Sequence, residues 1–226
     1  MIANLTLTVF AAASLHAVMP ALGQAYTATH PQVTLRYDFD GSQVLAAQLK
    51  QGASADVFIS ADSKTMDTAH TDGTVEPAVV IAHNVLVVVT PPASPVHVLG
   101  DLASPNVKVA LCVDTAPCGR YARAALKALN ITPNVATEEI NVEGVVEKVV
   151  LNEVDAGIVY QTDAVSAKPG TLNSIAIPAE DQTAVNYPAA VVTASASQAD
   201  AAAFVTFLTS PQAQAILKTN GFVPIH

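Results

Sequence analysis

Residues 5–15 read Leu-Thr-Leu-Thr-Val-Phe-Ala-Ala-Ala-Ser-Leu, an alternating run that ends in small residues and a serine. The alternation predicts a half-buried β-strand, and Ser14 is a residue type that often begins a helix. A secretory signal needs a basic segment before its apolar core, but no Lys or Arg precedes Arg36. We therefore interpret this stretch as the first strand and the first helix start of a folded domain.

The pattern of a strand followed by a helix continues along the chain. Residues 33–39 alternate like a strand, residues 44–49 predict a helix that ends at Gly52, and residues 84–89 are apolar after Asn84. Such an apolar run is typical of a parallel strand covered on both faces. Further strands are predicted at 56–60, 107–113, 156–160, 174–177 and 189–193, and further helices at 15–29, 64–70, 119–129, 142–151, 199–208 and 211–219. The alternation predicts an α/β fold with mainly parallel sheets, and we find no internal sequence repeat.

Composition indicates a globular chain and limits its partners. The 226 residues are 51% hydrophobic and 13% charged, which excludes a disordered chain. The length fits one large α/β domain or two lobes of about 100 residues each. Nineteen acidic against ten basic residues give a net charge of −9, which argues against nucleic acid and anionic membranes as partners. No apolar stretch reaches the roughly 18–20 residues of a membrane-spanning helix.

The two cysteines, Cys112 and Cys118, flank a predicted turn between a strand and a helix. In an exported chain this spacing can close a short disulfide loop, whereas in a cytosolic chain the same pair remains as two thiols. The six histidines are scattered singly, so that a zinc site built from Cys and His is not expected.

Small or polar residues occur at four points where a predicted strand gives way to a helix. These points are Ala13-Ser14, Gly41-Ser42, Cys118-Gly119 and Asn141-Val142. Helix starts present backbone N–H groups that have no intrahelical acceptor, and in open α/β sheets ligands bind at the carboxyl ends of strands. Several helix starts together with serine hydroxyls can hold an anion without Lys or Arg. The alternative for each serine is an ordinary helix cap.

Five segments spread over nearly the whole chain carry a family resemblance. They are residues 7–15, 52–62 (Gly-Ala-Ser-Ala-Asp-Val-Phe-Ile-Ser-Ala-Asp), 157–164 (Gly-Ile-Val-Tyr-Gln-Thr-Asp-Ala), 187–192 (Tyr-Pro-Ala-Ala-Val-Val) and 210–222, with Ser-Pro-Gln-Ala-Gln and Gly-Phe. In their order and spacing these segments resemble the periplasmic molybdate-binding proteins of ABC importers.

The resemblance implies a two-lobed type II binding protein that traps one tetrahedral oxyanion in a cleft between its lobes. Lobe one is expected to comprise residues 1–82 and 189–226 and lobe two residues 83–188, joined by crossing segments near Asn84 and Tyr187. The expected partners are the oxyanion and an ABC transporter permease, and the protein is expected to be a monomer. It is expected in the periplasm or at the outer face of the membrane, with any signal or lipid-anchor segment outside this sequence.

The resemblance also assigns the site, residue by residue. The hydroxyl donors fall on Ser14 and Ser42, the backbone donors on Cys118 and Val142, and the phenol donor on Tyr160. Cys118 departs from the small apolar residue usual in the family, but a backbone N–H survives that change. Molybdenum or tungsten would be bound only as the oxyanion, through these residues, and the sequence does not rank molybdate against tungstate.

Two carboxylates stand beside proposed contacts, Asp40 before Gly41-Ser42 and Glu143 after Val142. A carboxylate aimed at a dianion would repel it, so we expect both to face solvent or to cap a helix. The alternative is that one of them ligates the metal directly.

An enzyme, a binding protein for another anion and an adhesion protein are the alternatives to a molybdate-binding protein. Ser14 and His16 do not form a nucleophile–base pair, because residues i and i+2 of a helix face different directions. Cys118 at a helix start could be an activated thiolate, although a disulfide to Cys112 is simpler, and no enzyme is expected.

Another small anion, such as sulfate, phosphate or an organic anion, is the main alternative ligand, and Arg120 is the arginine nearest the proposed site. An adhesion protein without a ligand would not need four aligned helix starts.

Overall fold

Two structural units, each built on its own five-stranded sheet, account for residues 5–225 described by the computed structural model. The first unit comprises the described residues up to His83 and those from Asn186 onwards. The second unit is Asn84–Val185. The extreme ends of the predicted lobe one, residues 1–4 and 226, lie outside the described residues.

Strands and helices alternate through most of the chain. The strands are β1 (Leu5–Ala12), β2 (Val33–Asp40), β3 (Val57–Ile59), β4 (Val79–Asn84), β5 (Leu86–Thr90), β6 (Lys108–Cys112), β7 (Asn134–Glu139), β8 (Ala156–Tyr160), β9 (Asn173–Ala176) and β10 (Val185–Val191). The helices are α1 (Met19–Thr27), α2 (Ser42–Lys50), α3 (Ser63–Thr71), α4 (Pro117–Ala128), α5 (Val142–Val150), α6 (Gln161–Ser166), α7 (Gln198–Leu208) and α8 (Pro211–Thr219). Short 3₁₀ turns cover Ala13–Leu15, Leu99–Ala103 and Ala179–Asp181.

The sheet of the first unit has the order β2-β1-β3-β10-β4. β1 runs parallel to β2 and to β3, with Ala12 beside Asp40 at its end, and β10 runs antiparallel to β3. Helices α2 and α3 pack beside this sheet. Their buried residues Leu45, Leu49 and Met66 share one core cluster with Phe10 and Phe58 of the sheet.

The sheet of the second unit has the order β7-β6-β8-β5-β9. β6 runs parallel to β7 and β8, but β5 runs antiparallel to both β8 and β9. The prediction that residues 84–89 form a parallel strand is therefore wrong. All five residues of β5 are buried, so its run of apolar residues from Leu86 to Val89 reflects an inner position in the sheet rather than strand direction. Each sheet is mixed, with parallel strands on one side and antiparallel pairing on the other.

Both sheets follow one topological rule although the sequence shows no repeat. In each sheet one strand, called here the crossing strand, is set apart, and the other four are numbered in chain order. Both sheets then have the order second, first, third, crossing strand, fourth. The crossing strand is β10 in the first unit and β5 in the second. In each unit it is the strand with which the chain enters after passing between units, at His83–Asn84 for β5 and at Val185–Asn186 for β10.

The helix predicted from residue 15 begins later, at Met19, and residues 13–15 form a separate 3₁₀ turn. Pro20 lies in the first turn of α1, where its missing N–H removes no helical hydrogen bond. No helix within residues 5–225 has the length and apolar character needed to cross a bilayer.

Candidate functional site

Ser14 follows β1 and lies in the 3₁₀ turn Ala13–Leu15. Its side chain is nearly buried, and its Oγ lies 2.7 Å from the hydroxyl oxygen of Tyr187 in β10. The N-cap position of the turn is Ala12, so the alternative interpretation of Ser14 as an ordinary helix cap is wrong. Tyr187 is not among the site residues predicted from the sequence. The two residues are 173 positions apart, and no local pattern signals their contact.

Ser42 is the first residue of α2 and follows β2. Gly41 occupies the N-cap position, so Ser42 is not the cap either. Its buried Oγ accepts a hydrogen bond of 3.0 Å from the backbone N–H of Ala61, which follows β3. A hydroxyl has one proton to donate, and a bond received from an N–H leaves that proton available. Because Ala12 pairs with Asp40, Ser14 and Ser42 both follow the carboxyl ends of neighbouring parallel strands.

Cys118 lies in the first turn of α4, which follows β6. It forms a disulfide with Cys112, the last residue of β6, which confirms the disulfide alternative. The next residue, Gly119, packs so closely that a Cβ there would lie 2.0 Å from the carbonyl oxygen of Val113. The guanidinium of Arg123 donates to the carbonyl oxygens of Cys112 at 2.8 Å and Gly119 at 3.1 Å. The start of α4 is therefore fixed by a covalent link, a close backbone contact and a cation.

Val142 is the first residue of α5, as predicted, and is buried. Asn141 caps this helix, and its side-chain oxygen accepts a hydrogen bond of 3.1 Å from the backbone N–H of Gly144. The cap supplies an acceptor for the third residue of the helix and leaves the N–H groups of the first turn directed outwards along the axis.

Tyr160 is the last residue of β8 and is 1% exposed. Its backbone N–H donates to Oδ2 of Asp163 at 2.9 Å. Burial raises the pKa of Asp163 to about 7, against the lowering effect of the Tyr160 N–H, and the charge of Glu143 raises this pKa further. Asp163 is therefore protonated in a large share of molecules near neutral pH, which reduces the negative charge next to Tyr160.

The second unit repeats the arrangement of the first. Cys118, Val142 and Tyr160 lie at or after the carboxyl ends of β6, β7 and β8, which are parallel neighbours. Within each unit, the predicted residues thus come to one edge of the sheet. Each offers a hydroxyl or a first-turn N–H group, and none of them is charged.

The charged side chains near these positions have other roles. Oδ1 of Asp40 accepts a hydrogen bond of 2.7 Å from the N–H of Gly41. Glu143 is exposed in the first turn of α5. The guanidinium of Arg120 donates to the carbonyl oxygen of Thr115. Among residues 5–225, no group of three or more His, Cys, Asp or Glu side chains is placed to hold a metal ion.

Comparison with known proteins covers nearly the whole chain. A family described as bacterial extracellular solute-binding proteins matches residues 7–223. The molybdate-binding protein ModA of Mycobacterium tuberculosis (strain H37Rv) is 34% identical over 220 residues, which cover 96% of this chain and 84% of that protein. ModA of Escherichia coli (strain K12) is 35% identical over 230 residues, with 96% and 88% covered. The chain belongs to the ModA family of bacterial extracellular solute-binding proteins.

A solved structure shows which fold this ModA family member has. The periplasmic molybdate-binding protein of Azotobacter vinelandii superposes with a TM-score of 0.85 at 22% identity, over 97% of this chain and 100% of that one. The fold is that of type II periplasmic binding proteins. Membership of the ModA family also places the chain outside the cytoplasm and makes it a binding protein rather than an enzyme.

Proposed function

We propose that this ModA family protein captures molybdate outside the cytoplasmic membrane and delivers it to the permease of an ABC transporter. The observation that carries the proposal is the set of uncharged donors at the carboxyl ends of parallel strands in both units. ModA proteins of two species share about a third of their residues with the chain.

The donors suit a small dianion in chemical terms. Burying an ion without compensation costs many kcal/mol, so each ligand oxygen needs hydrogen-bond donors. A hydrogen bond to a charged acceptor contributes about 1.5–3 kcal/mol, and helix starts add favourable dipoles. Several such bonds reach micromolar affinity after the entropy costs of binding. Neutral donors also permit release of the ion to the permease.

The proposed site uses all five residues for one anion. Ser14 and Ser42 donate their hydroxyl protons, Cys118 and Val142 donate backbone N–H groups, and Tyr160 donates its phenol proton. Because two of these residues belong to the first unit and three to the second, the proposal includes closure of the units on the ligand by a hinge motion. Tungstate has the same charge and shape as molybdate and is proposed as a second ligand, and the protein is proposed to act as a monomer.

A competition titration tests the proposed ligand. Molybdate, tungstate, sulfate and phosphate are titrated into the purified protein by calorimetry, and each is then added in a thermal unfolding series. We expect molybdate and tungstate to bind tightly and to displace the other two. At about 1,000 times the dissociation constant, ligand raises the free energy of unfolding by about 4 kcal/mol. No heat and no thermal shift with millimolar molybdate would contradict the proposal, and preference for sulfate or phosphate would favour the alternative anion.

The variant Tyr160→Phe tests the phenol as a ligand contact. It removes one donor without a change of shape, and we expect the dissociation constant for molybdate to rise about tenfold or more. An unchanged affinity would remove Tyr160 from the proposed site without touching the ligand assignment.

A further inference from the structure

One contact within the first unit joins a proposed ligand residue to a side chain outside the proposed site. The hydroxyl oxygens of Ser14 and Tyr187 lie 2.7 Å apart, and both side chains are at most 6% exposed. Tyr187 lies in β10, and its ring packs edge-on against Phe222 with ring centres 5.3 Å apart. The packing fixes the position of the phenol oxygen that faces Ser14.

The direction of this hydrogen bond decides what Ser14 can offer to a ligand. Either oxygen can be the donor, and only one proton lies between them. If Ser14 donates to Tyr187, a lone pair of Ser14 is left for the ligand. If Tyr187 donates, the proton of Ser14 is left. A phenol is the stronger donor of the two groups, so donation from Tyr187 to Ser14 is favoured.

We propose that Tyr187 is a positioning residue that fixes Ser14 as a hydrogen-bond donor and so favours oxyanions without a proton. This inference rests on the proposed function, in which Ser14 contacts the oxyanion. Donation from the phenol also polarises the O–H bond of Ser14 and strengthens its bond to the anion, because linked hydrogen bonds reinforce one another.

The hydroxyl of Ser42 is oriented in the same way as we propose for Ser14. Its Oγ accepts from the backbone N–H of Ala61, a donor that cannot reverse its direction. Both serines therefore receive a hydrogen bond from a buried group and are left with a proton to give. In the case of Ser14 the orienting group is a side chain, so a substitution can remove it.

The preference for molybdate over phosphate follows because a protonated anion needs a hydrogen-bond acceptor in the site. Near neutral pH, molybdate carries no proton, whereas phosphate retains one that requires an acceptor. Without Tyr187, the Ser14 hydroxyl rotates freely and presents a lone pair as readily as its proton. Loss of the phenol should therefore weaken molybdate binding more than phosphate binding.

The test compares Tyr187→Phe with the matched control Tyr26→Phe. Tyr26 is a second buried tyrosine of the first unit, and its hydroxyl makes no hydrogen bond within the described chain. Affinity for molybdate and for inorganic phosphate is measured at pH 7.5 by calorimetry and by competition. For Tyr187→Phe we expect about a 3- to 10-fold loss of molybdate affinity and a lower ratio of molybdate to phosphate affinity. Tyr26→Phe should change neither quantity.

A second variant separates positioning from a general loss of stability. In a Ser14→Ala background, Tyr187→Phe should have little further effect on molybdate affinity, because the hydroxyl that it orients is gone. Equal losses with and without Ser14, or an unchanged affinity ratio in the single variant, would overturn the inference. A wild-type protein that does not bind molybdate would instead contradict the proposed function, before any variant is measured.

Discussion

The backbone N–H of Tyr160 donates to Oδ2 of Asp163 at 2.9 Å, so a carboxyl group that is nearly inaccessible to solvent lies directly beside a proposed ligand residue. Burial raises the pKa of this carboxyl to about 7. In an unfolded chain the pKa of Asp is about 3.9. The folded state therefore binds more protons than the unfolded state between these two values.

The contribution of Asp163 to stability should consequently fall as pH rises from about 4 to about 7 and then level off, by at most ~1.4 kcal/mol per pH unit for one proton. Asp163→Asn keeps an acceptor for the Tyr160 N–H but does not titrate, so it should lose less stability than the wild type between pH 5 and pH 8. Urea unfolding at both pH values measures this difference. Glu143→Gln is a second test. Removing that charge should lower the pKa of Asp163 and so reduce the loss of stability between the two pH values. Parallel pH profiles for wild type and Asp163→Asn would contradict the prediction.

Replacement of Ser42 by Ala should affect both stability and binding. The N–H of Ala61 loses its acceptor, and an unsatisfied buried donor costs about 1–3 kcal/mol. The proposed ligand also loses one hydroxyl donor, so molybdate should bind about tenfold more weakly or worse. Ser54→Ala, at an exposed serine of the same unit, is the matched control and should change neither property. Thermal melts and calorimetry give the two readouts, and a variant equal to wild type in both would show that Ser42 has neither role.

Removal of the disulfide should loosen the start of α4. The bond between Cys112 and Cys118 closes a short loop, for which loss of the constraint costs roughly 2 kcal/mol. The variant Cys112→Ala/Cys118→Ala should unfold earlier and bind molybdate more weakly, because the Cys118 N–H is no longer held in place. Addition of a reductant should weaken the wild type but leave this variant unchanged. Mass spectrometry under non-reducing conditions checks the bond directly, and two free thiols would contradict it.

Gly119 should not tolerate a methyl group. An added Cβ would lie 2.0 Å from the carbonyl oxygen of Val113 and 2.6 Å from that of Cys112, so backbone atoms must move. We expect Gly119→Ala to lose about 1–3 kcal/mol of stability and to bind molybdate more weakly. At Gly100 no atom of the described residues, apart from its two chain neighbours, lies within 4 Å of an added Cβ, which makes Gly100→Ala the control. Equal melting temperatures for the two variants would show that the start of α4 adapts.

Patterning along the sequence predicts the α/β fold because most elements are amphipathic or wholly apolar. It misses β7, where the residues Asn-Val-Ala-Thr-Glu-Glu form an exposed edge strand without apolar alternation. It also assigns the wrong direction to β5, since an apolar run reports burial and not the direction of the neighbouring strand. Strand direction depends on the path of the chain between strands, which periodicity does not contain.

In the proposed site, too, some features are predicted from the sequence and others are not. Local sequence predicts the start of α5 at Val142, because a capping side chain precedes it, and it places the helix after Gly41 but begins that helix two residues late, at residue 44 instead of Ser42. It does not predict the groups that hold the two serines, because Ala61 and Tyr187 contact them across the sheet and not along a helix. Side-chain partners that depend on tertiary packing leave no periodic signal.

The crossing strands have a consequence for the order in which the protein can be assembled as it is synthesised. The second unit is one continuous stretch, Asn84–Val185, so every strand from β5 to β9 is present once that stretch has emerged. In the first unit, β10 separates β3 from β4, so β4 has no place in its sheet until residues beyond 185 have been made. The first unit can therefore complete its sheet only after the whole of the second unit has been synthesised.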